Sequence, residues 1–166
     1  MARNESDRED MMAEAVSLVR RVEFRSELHS ESIIAGFNLH GWLFIYIGSD
    51  PMYRFDEQDR LRRAYVDGRL YRTQGQTLAV MDRQRVFESG EPVETNLVRH
   101  DLSEEELETF RLRMHSNLKQ ARECLRIGVV TRQHPAEMPG IAGEVEKRIR
   151  QVLDTREFLA PPIVRR

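Results

Sequence analysis

The dipeptide Asp67-Gly68 constrains this chain more than any other feature. It lies between two runs rich in strand-forming residues, Leu61 to Val66 and Arg69 to Thr73. A two-residue loop of this kind needs positive φ at both positions, which Asp and Gly tolerate, and it forces its flanks into an antiparallel hairpin. The turn signals continue on both sides. Asn38-Leu39-His40-Gly41 separates Ile33–Phe37 from Trp42–Ile47, and Gly48-Ser49-Asp50-Pro51 reverses the chain before Met52–Phe55. Asp56-Glu57-Gln58-Asp59 and Gln74-Gly75-Gln76 do the same ahead of Leu61 and Thr77. Connections this short permit only antiparallel neighbours, so the region from Ser32 to Asp82 is expected to be a β-meander. Val93 to Arg99 alternates again and should add an edge strand.

Helical patterns flank the meander. Ser6-Asp7-Arg8-Glu9 has the form of a capping box, and Met11, Met12, Ala15, Leu18, Val19 and Val22 follow at helical spacing. That helix is expected to run to about Arg21 or Arg25. Ser103 and Glu106 make a second capping box, with Leu102 and Leu107 placed as a staple. Leu107, Phe110, Met114, Leu118, Ala121 and Leu125 then form one apolar stripe, and Gly128 supplies a stop. Val129-Val130 reads as a short strand and Gln133 to Pro139 as a loop. A last helix is expected over Ile141 to Asp154, with Ile141, Val145, Ile149 and Val152 inward. The expected fold is a single α+β domain over 1–160 with a loose tail at 161–166. Its antiparallel meander of about five to seven strands is covered on one face by an N-terminal helix and one or two C-terminal helices.

Composition narrows the function classes. With 40% hydrophobic and 33% charged residues over 166, the chain is globular with a heavily charged surface. A formal charge of -2 gives no overall pull toward nucleic acid or membrane. No run of apolar residues is long enough to span a bilayer, and the start has no secretory pattern, so a cytoplasmic location is the expectation. Cys124 is the single cysteine, which precludes an internal disulfide or a cysteine zinc cluster. Its place near the C-terminal end of a helix argues for a semi-buried structural thiol rather than a nucleophile. Nearly all the basic residues are Arg; only Lys119 and Lys147 are Lys. Glu88 to Glu108 is acidic, whereas Arg111 to Arg166 is basic, a contrast that helix capping and solvated faces account for.

The stretch Tyr53-Arg54-Phe55-Asp56-Glu57-Gln58-Asp59-Arg60-Leu61 resembles the hairpins of YD-type, Rhs-like repeat proteins, with the same aromatic-Asp-turn-Arg-Leu order. It occurs once, and Asp59 stands where those repeats commonly have glycine. The resemblance implies a hairpin here and carries no activity.

The hairpin around Asp67-Gly68 also supplies the main candidate site. A two-residue loop sets Val66 opposite Arg69, Tyr65 opposite Leu70, Ala64 opposite Tyr71 and Arg63 opposite Arg72. Alternation then places Arg63, Tyr65, Leu70 and Arg72 on one face, and Arg62, Ala64, Val66, Arg69 and Tyr71 on the other. Directly opposed arginines repel unless an anion lies between or beside them. Guanidinium groups bind phosphate and carboxylate bidentately. Arg54, Arg62, Arg63, Arg69 and Arg72, with Tyr65 and Tyr71, are therefore the candidate binding residues for an anionic partner. The alternative is that Asp56, Asp82 or a helix glutamate satisfies these arginines. Interleaved tyrosines are compatible with stacking on bases, although no RNA-binding motif is present.

Catalytic signatures for nucleophile elbows, phosphate loops, dinucleotide folds and helical zinc sites are missing, and no cofactor is expected. His29, His40, His100, His115 and His134 have no His partner at i+4. His134 and Glu137 offer two metal ligands without a third, so no metal is expected. The leading expectation is a non-enzymatic binding module whose Arg/Tyr sheet face holds an acidic protein surface or another anionic ligand. One rival is a small hydrolase or transferase with its site at the end of the meander, using Ser49 or Asp50 of the 48–51 turn, or His40. Another is a structural homodimer through an apolar face around Trp42, Phe44 and Tyr46.

Overall fold

A computed structural model describes residues 13–14, 17–25, 32–48, 51–75, 77–83, 86–88, 91–93, 97–127, 129–134, 140–155 and 157–159. Among these, the side chains at 82–98, 129–130 and 132–134 are not described. The strands are β1 (Arg20–Arg25), β2 (Ser32–Phe37), β3 (Leu43–Ile47), β4 (Met52–Phe55), β5 (Leu61–Val66), β6 (Arg69–Gln74) and β7 (Thr77–Arg83). They are followed by β8 (Val86–Glu88), β9 (Glu91–Val93), β10 (Leu97–Asp101) and β11 (Val129–His134). Two helices are α1 (Glu104–Ile127) and α2 (Ile141–Asp154).

The fold is the expected α+β class, an antiparallel meander packed by helices. Strands β1 to β7 are sequential neighbours, with β10 beyond β7 and β11 beyond β1, which makes nine strands rather than five to seven. Strands β8 and β9 form a separate two-stranded sheet. The expected Val93–Arg99 strand divides between β9 and β10, and it is β10 that takes the edge beside β7.

The Asp67-Gly68 hairpin has the expected register, with φ of 53° and 72° at its two turn residues. Asp59, standing where the resembled repeats have glycine, has φ 62°, the left-handed region that Asp tolerates better than most side chains.

Helix α1 starts as its capping box dictates. The Ser103 Oγ accepts from the Glu106 N–H at 3.2 Å, and the Glu106 carboxylate accepts from the Ser103 N–H at 3.1 Å. The bounds of α2 are those read from its periodicity, although Gly140 at its N-cap has no side chain to cap it. Both helices pack on one sheet face. Their stripes, Phe110, Met114, Leu118, Ala121 and Cys124 on α1 and Ile141, Val145, Ile149 and Val152 on α2, close on sheet residues including Val22, Ala35, Ile45, Phe55, Ala64 and Val66. Cys124, expected to be semi-buried, is a fully buried thiol.

Two expectations need correction. The N-terminal helix does not reach Arg21 or Arg25, because Arg20–Arg25 is β1, paired to both β2 and β11. The start of that helix lies outside the described residues. Of the N-terminal segment, Glu14 and Leu18 lie on the sheet face opposite α1 and α2. There Leu18 clusters with Phe44, Met52, Tyr65 and Leu70. The loop expected from Gln133 to Pro139 starts later, because Gln133 and His134 are the end of β11 and pair with Val22 and Arg21; Gly128 and residues 135–139 lie outside the described set.

Candidate functional site

The sheet face opposite α1 and α2 carries a row of arginines that the strand registers dictate. Arg54 on β4 pairs with Arg63 on β5, and Arg63 pairs with Arg72 on β6. Neighbouring strands lie about 4.8 Å apart, so the row places three guanidinium groups across roughly 10 Å. Phe44 on β3 pairs with Arg54 and Ala79 on β7 pairs with Arg72, bounding the row on both sides. Beside it runs an apolar row, Tyr46, Met52, Tyr65, Leu70 and Met81, in the same order of strands.

A bulge in β5 adds a fourth arginine. Arg54 faces Arg63 but Phe55 faces Leu61, so Arg62 is the extra residue. Its neighbours satisfy the disturbed backbone. The Thr73 hydroxyl donates to the carbonyls of Leu61 at 2.6 Å and Arg62 at 3.2 Å, and the Leu61 N–H donates to the Phe158 carbonyl at 2.7 Å. The Arg62 side chain, expected beside Ala64 and Val66, instead lies with its Cζ 5.5 Å from the Trp42 ring centre. Arg54 lies over the same ring at 4.5 Å. Each such contact contributes about 0.5–1 kcal/mol where solvent reaches it.

The charges are unequally compensated. Arg54 is held 3.1 Å from Glu14. Arg62 is 4.0 Å from Asp56, whose other carboxylate oxygen accepts the Gln58 and Arg60 N–H groups. Among the described residues neither Arg63 nor Arg72 has a carboxylate partner. Arg63 is half-buried and Arg72 exposed, so the two central charges differ in how much water they keep.

The remaining sequence candidates separate. Tyr65 is 5% exposed within the apolar row and offers no open stacking face. Arg69 and Tyr71 belong to the helix side, where Tyr71 packs 4.9 Å from Phe110. Burial, partly opposed by the adjacent Arg69, raises the Tyr71 hydroxyl above its ordinary pKa. Trp42 joins the arginine cluster without having been a binding candidate. The signal was available: the turn at 48–51 sets Tyr46 opposite Met52, which brings Phe44 opposite Arg54 and Trp42 diagonal to it.

At the rival site, His40 is an exposed turn residue whose N–H bonds the Asn38 side chain at 2.9 Å, and Ser49 and Asp50 lie outside the described residues. Among the described residues no group of three His, Cys, Asp or Glu could hold a metal. No helix among them is long and apolar enough to cross a membrane. Phe44 is 1% exposed under Leu18, so the apolar face expected for a homodimer is already covered at its centre. Compared with protein-family models, curated proteins and solved structures, the chain shows no match to any.

Proposed function

We propose that this protein is a non-enzymatic binding module whose Arg54–Arg63–Arg72 row, extended by Arg62, receives an anionic partner. The observation that carries this reading is the in-register juxtaposition of three arginines, two of them without a carboxylate among the described residues. Like charges at directly opposed strand positions cost stability, and a bound phosphate or carboxylate turns that cost into charge-assisted hydrogen bonds. Guanidinium forks two strands apart can share one multivalent anion or bind successive groups of a polyanion.

The test is a thermal-shift series with phosphate, nucleotides, short nucleic acids and heparin, at low and high salt. The wild type is compared with Arg63→Ala/Arg72→Ala. A ligand that binds only the native state stabilises it by about 2.7 kcal/mol at a hundredfold excess over its dissociation constant. The reading predicts a salt-sensitive shift for at least one polyanion that the double variant loses. An equal shift in both proteins would place the anion elsewhere.

A further inference from the structure

The arginine row and the segment preceding β1 meet on one sheet face. Followed backward, the chain pairs through Arg20 on β1 and brings Glu14 to Arg54 on β4, three strands farther along the sheet. Ala13 and Glu14 are helical, and the Ser17 N–H donates to the Ala13 carbonyl at 3.1 Å. The same course continued toward the N-terminus crosses β5 and then β6, which carry Arg63 and Arg72. The apolar row beside these arginines is buried on all three strands, with Met52, Tyr65 and Leu70 at 0%, 5% and 3% exposure. An antiparallel sheet face open to water would leave such side chains wet, so the segment that brings Leu18 among them covers the row.

The sequence ahead of Glu14 has the spacing such a crossing needs. Asp7, Asp10 and Glu14 are three and four residues apart, which sets them on one helix face. Asp7 and Asp10 lie outside the described residues. The seven residues from Asp7 to Glu14 (14 − 7) rise about 10.5 Å along a helix, against roughly 10 Å for the two strand spacings from Arg54 to Arg72. Met11 and Leu18, three before and four after Glu14, flank the same helix face on the side of the apolar row. The segment's other charges do not share that face. Arg3 and Glu5 precede the capping residue Ser6, and Arg8 and Glu9 fall at other helix angles.

We propose that residues 6–14 are the row's own first ligand, an acidic helix face laid across β4, β5 and β6. Glu14 meets Arg54, Asp10 meets Arg63 and Asp7 meets Arg72, and an external polyanion must displace them. The inference rests on reading the row as an anion site. Arg63 keeps two arginine neighbours for one carboxylate, so the row stays short of full compensation at its centre.

The docking is tested without ligand, in the full chain at low salt, by thermal double-mutant cycles. Asp10→Asn should lower Tm by about 1–3 °C in the wild type and not at all in Arg63→Met, with Asp7→Asn and Arg72→Met coupled in the same way. The crossed pairs, Asp10 with Arg72 and Asp7 with Arg63, should be additive. Additivity of the matched pairs overturns the docking. Heparin should then bind Asp7→Asn/Asp10→Asn/Glu14→Gln about tenfold more tightly than the wild type. Equal binding overturns the competition. Coupled matched pairs with no heparin binding in either protein would support the docking and count against the external partner alone.

Discussion

Replacing Arg63 with methionine should stabilise the protein in the absence of ligand. Methionine keeps the length of the aliphatic stem while removing the central charge of the row. Arg63 stands directly opposite both Arg54 and Arg72, so two like-charge pairs disappear. Each opposed pair costs roughly 0.2–1 kcal/mol, and the Glu14 partner of Arg54 offsets part of one. Coulomb's law at about 6 Å gives roughly 0.7 kcal/mol per pair in water and about 2.8 kcal/mol at an effective dielectric of 20. Half-burial of Arg63 and screening over about 8 Å place the sum near 1 kcal/mol. For a domain of this size that is a rise in Tm of about 2–4 °C. The assay is denaturant and thermal unfolding at low and high salt, with Arg63→Lys as the charge-retaining control. The gain should shrink with salt and be missing from the lysine variant. A methionine variant less stable than wild type at low salt would refute the reasoning, because Arg63 would then be making a net favourable contact in the free protein.

Other expectations follow from contacts elsewhere in the fold. A Cβ at Gly36 would lie 2.1 Å from the Arg20 carbonyl oxygen and 2.7 Å from the Arg21 Cα, so Gly36→Ala should cost about 3 kcal/mol in chemical denaturation. Arg148 bonds Asp59 Oδ1 at 2.6 Å and the carbonyls of Gly41 at 2.9 Å and Asp56 at 2.8 Å, tying α2 to two sheet turns. Arg148→Ala should cost roughly 2–4 kcal/mol, and Arg148→Lys should recover only part of that, because lysine lacks the planar fork. Burial first, then Arg111 and Lys119, lower the pKa of His115 from 6.5. Its folded value lies below its unfolded one, so its contribution is complete above about pH 6.5 and is lost as pH falls through the folded value. Stability measured downward from neutral pH should therefore decline less in His115→Gln. The capped carboxylate of Glu106, lowered from 4.5 by its bonds to Ser103, adds a second loss at more acidic pH that Glu106→Gln should remove.

Much of this fold was legible because its signals are local. The Asp67-Gly68 turn chemistry specified four cross-strand pairs, including Arg63 with Arg72, and the Ser103–Glu106 box specified the start of α1. Strand β1 was hidden because Leu18 and Val22 fit a helical spacing as well as Val22 and Phe24 fit a strand. Pairing with β11, more than a hundred residues away, decides between them. Arg62 was assigned to the wrong face for a similar reason. Its bulge depends on the Thr73 hydroxyl and the Phe158 carbonyl, neither of which a local pattern announces. The sequence also does not say which sheet face lies under the helices, and that choice puts Arg69 and Tyr71, already parted from Arg63 and Arg72 by alternation, on the helix side.

The most direct test of the arginine row uses Trp42, the single tryptophan of the chain, which lies under Arg54 and Arg62. Its fluorescence would be followed while heparin, and separately a single-stranded oligonucleotide, is titrated into the wild type and Arg63→Ala/Arg72→Ala. The account predicts a saturable change in the wild type for at least one of these polyanions, weakened by salt and lost in the double variant. An undiminished response in the double variant, or no response to either polyanion, would contradict it.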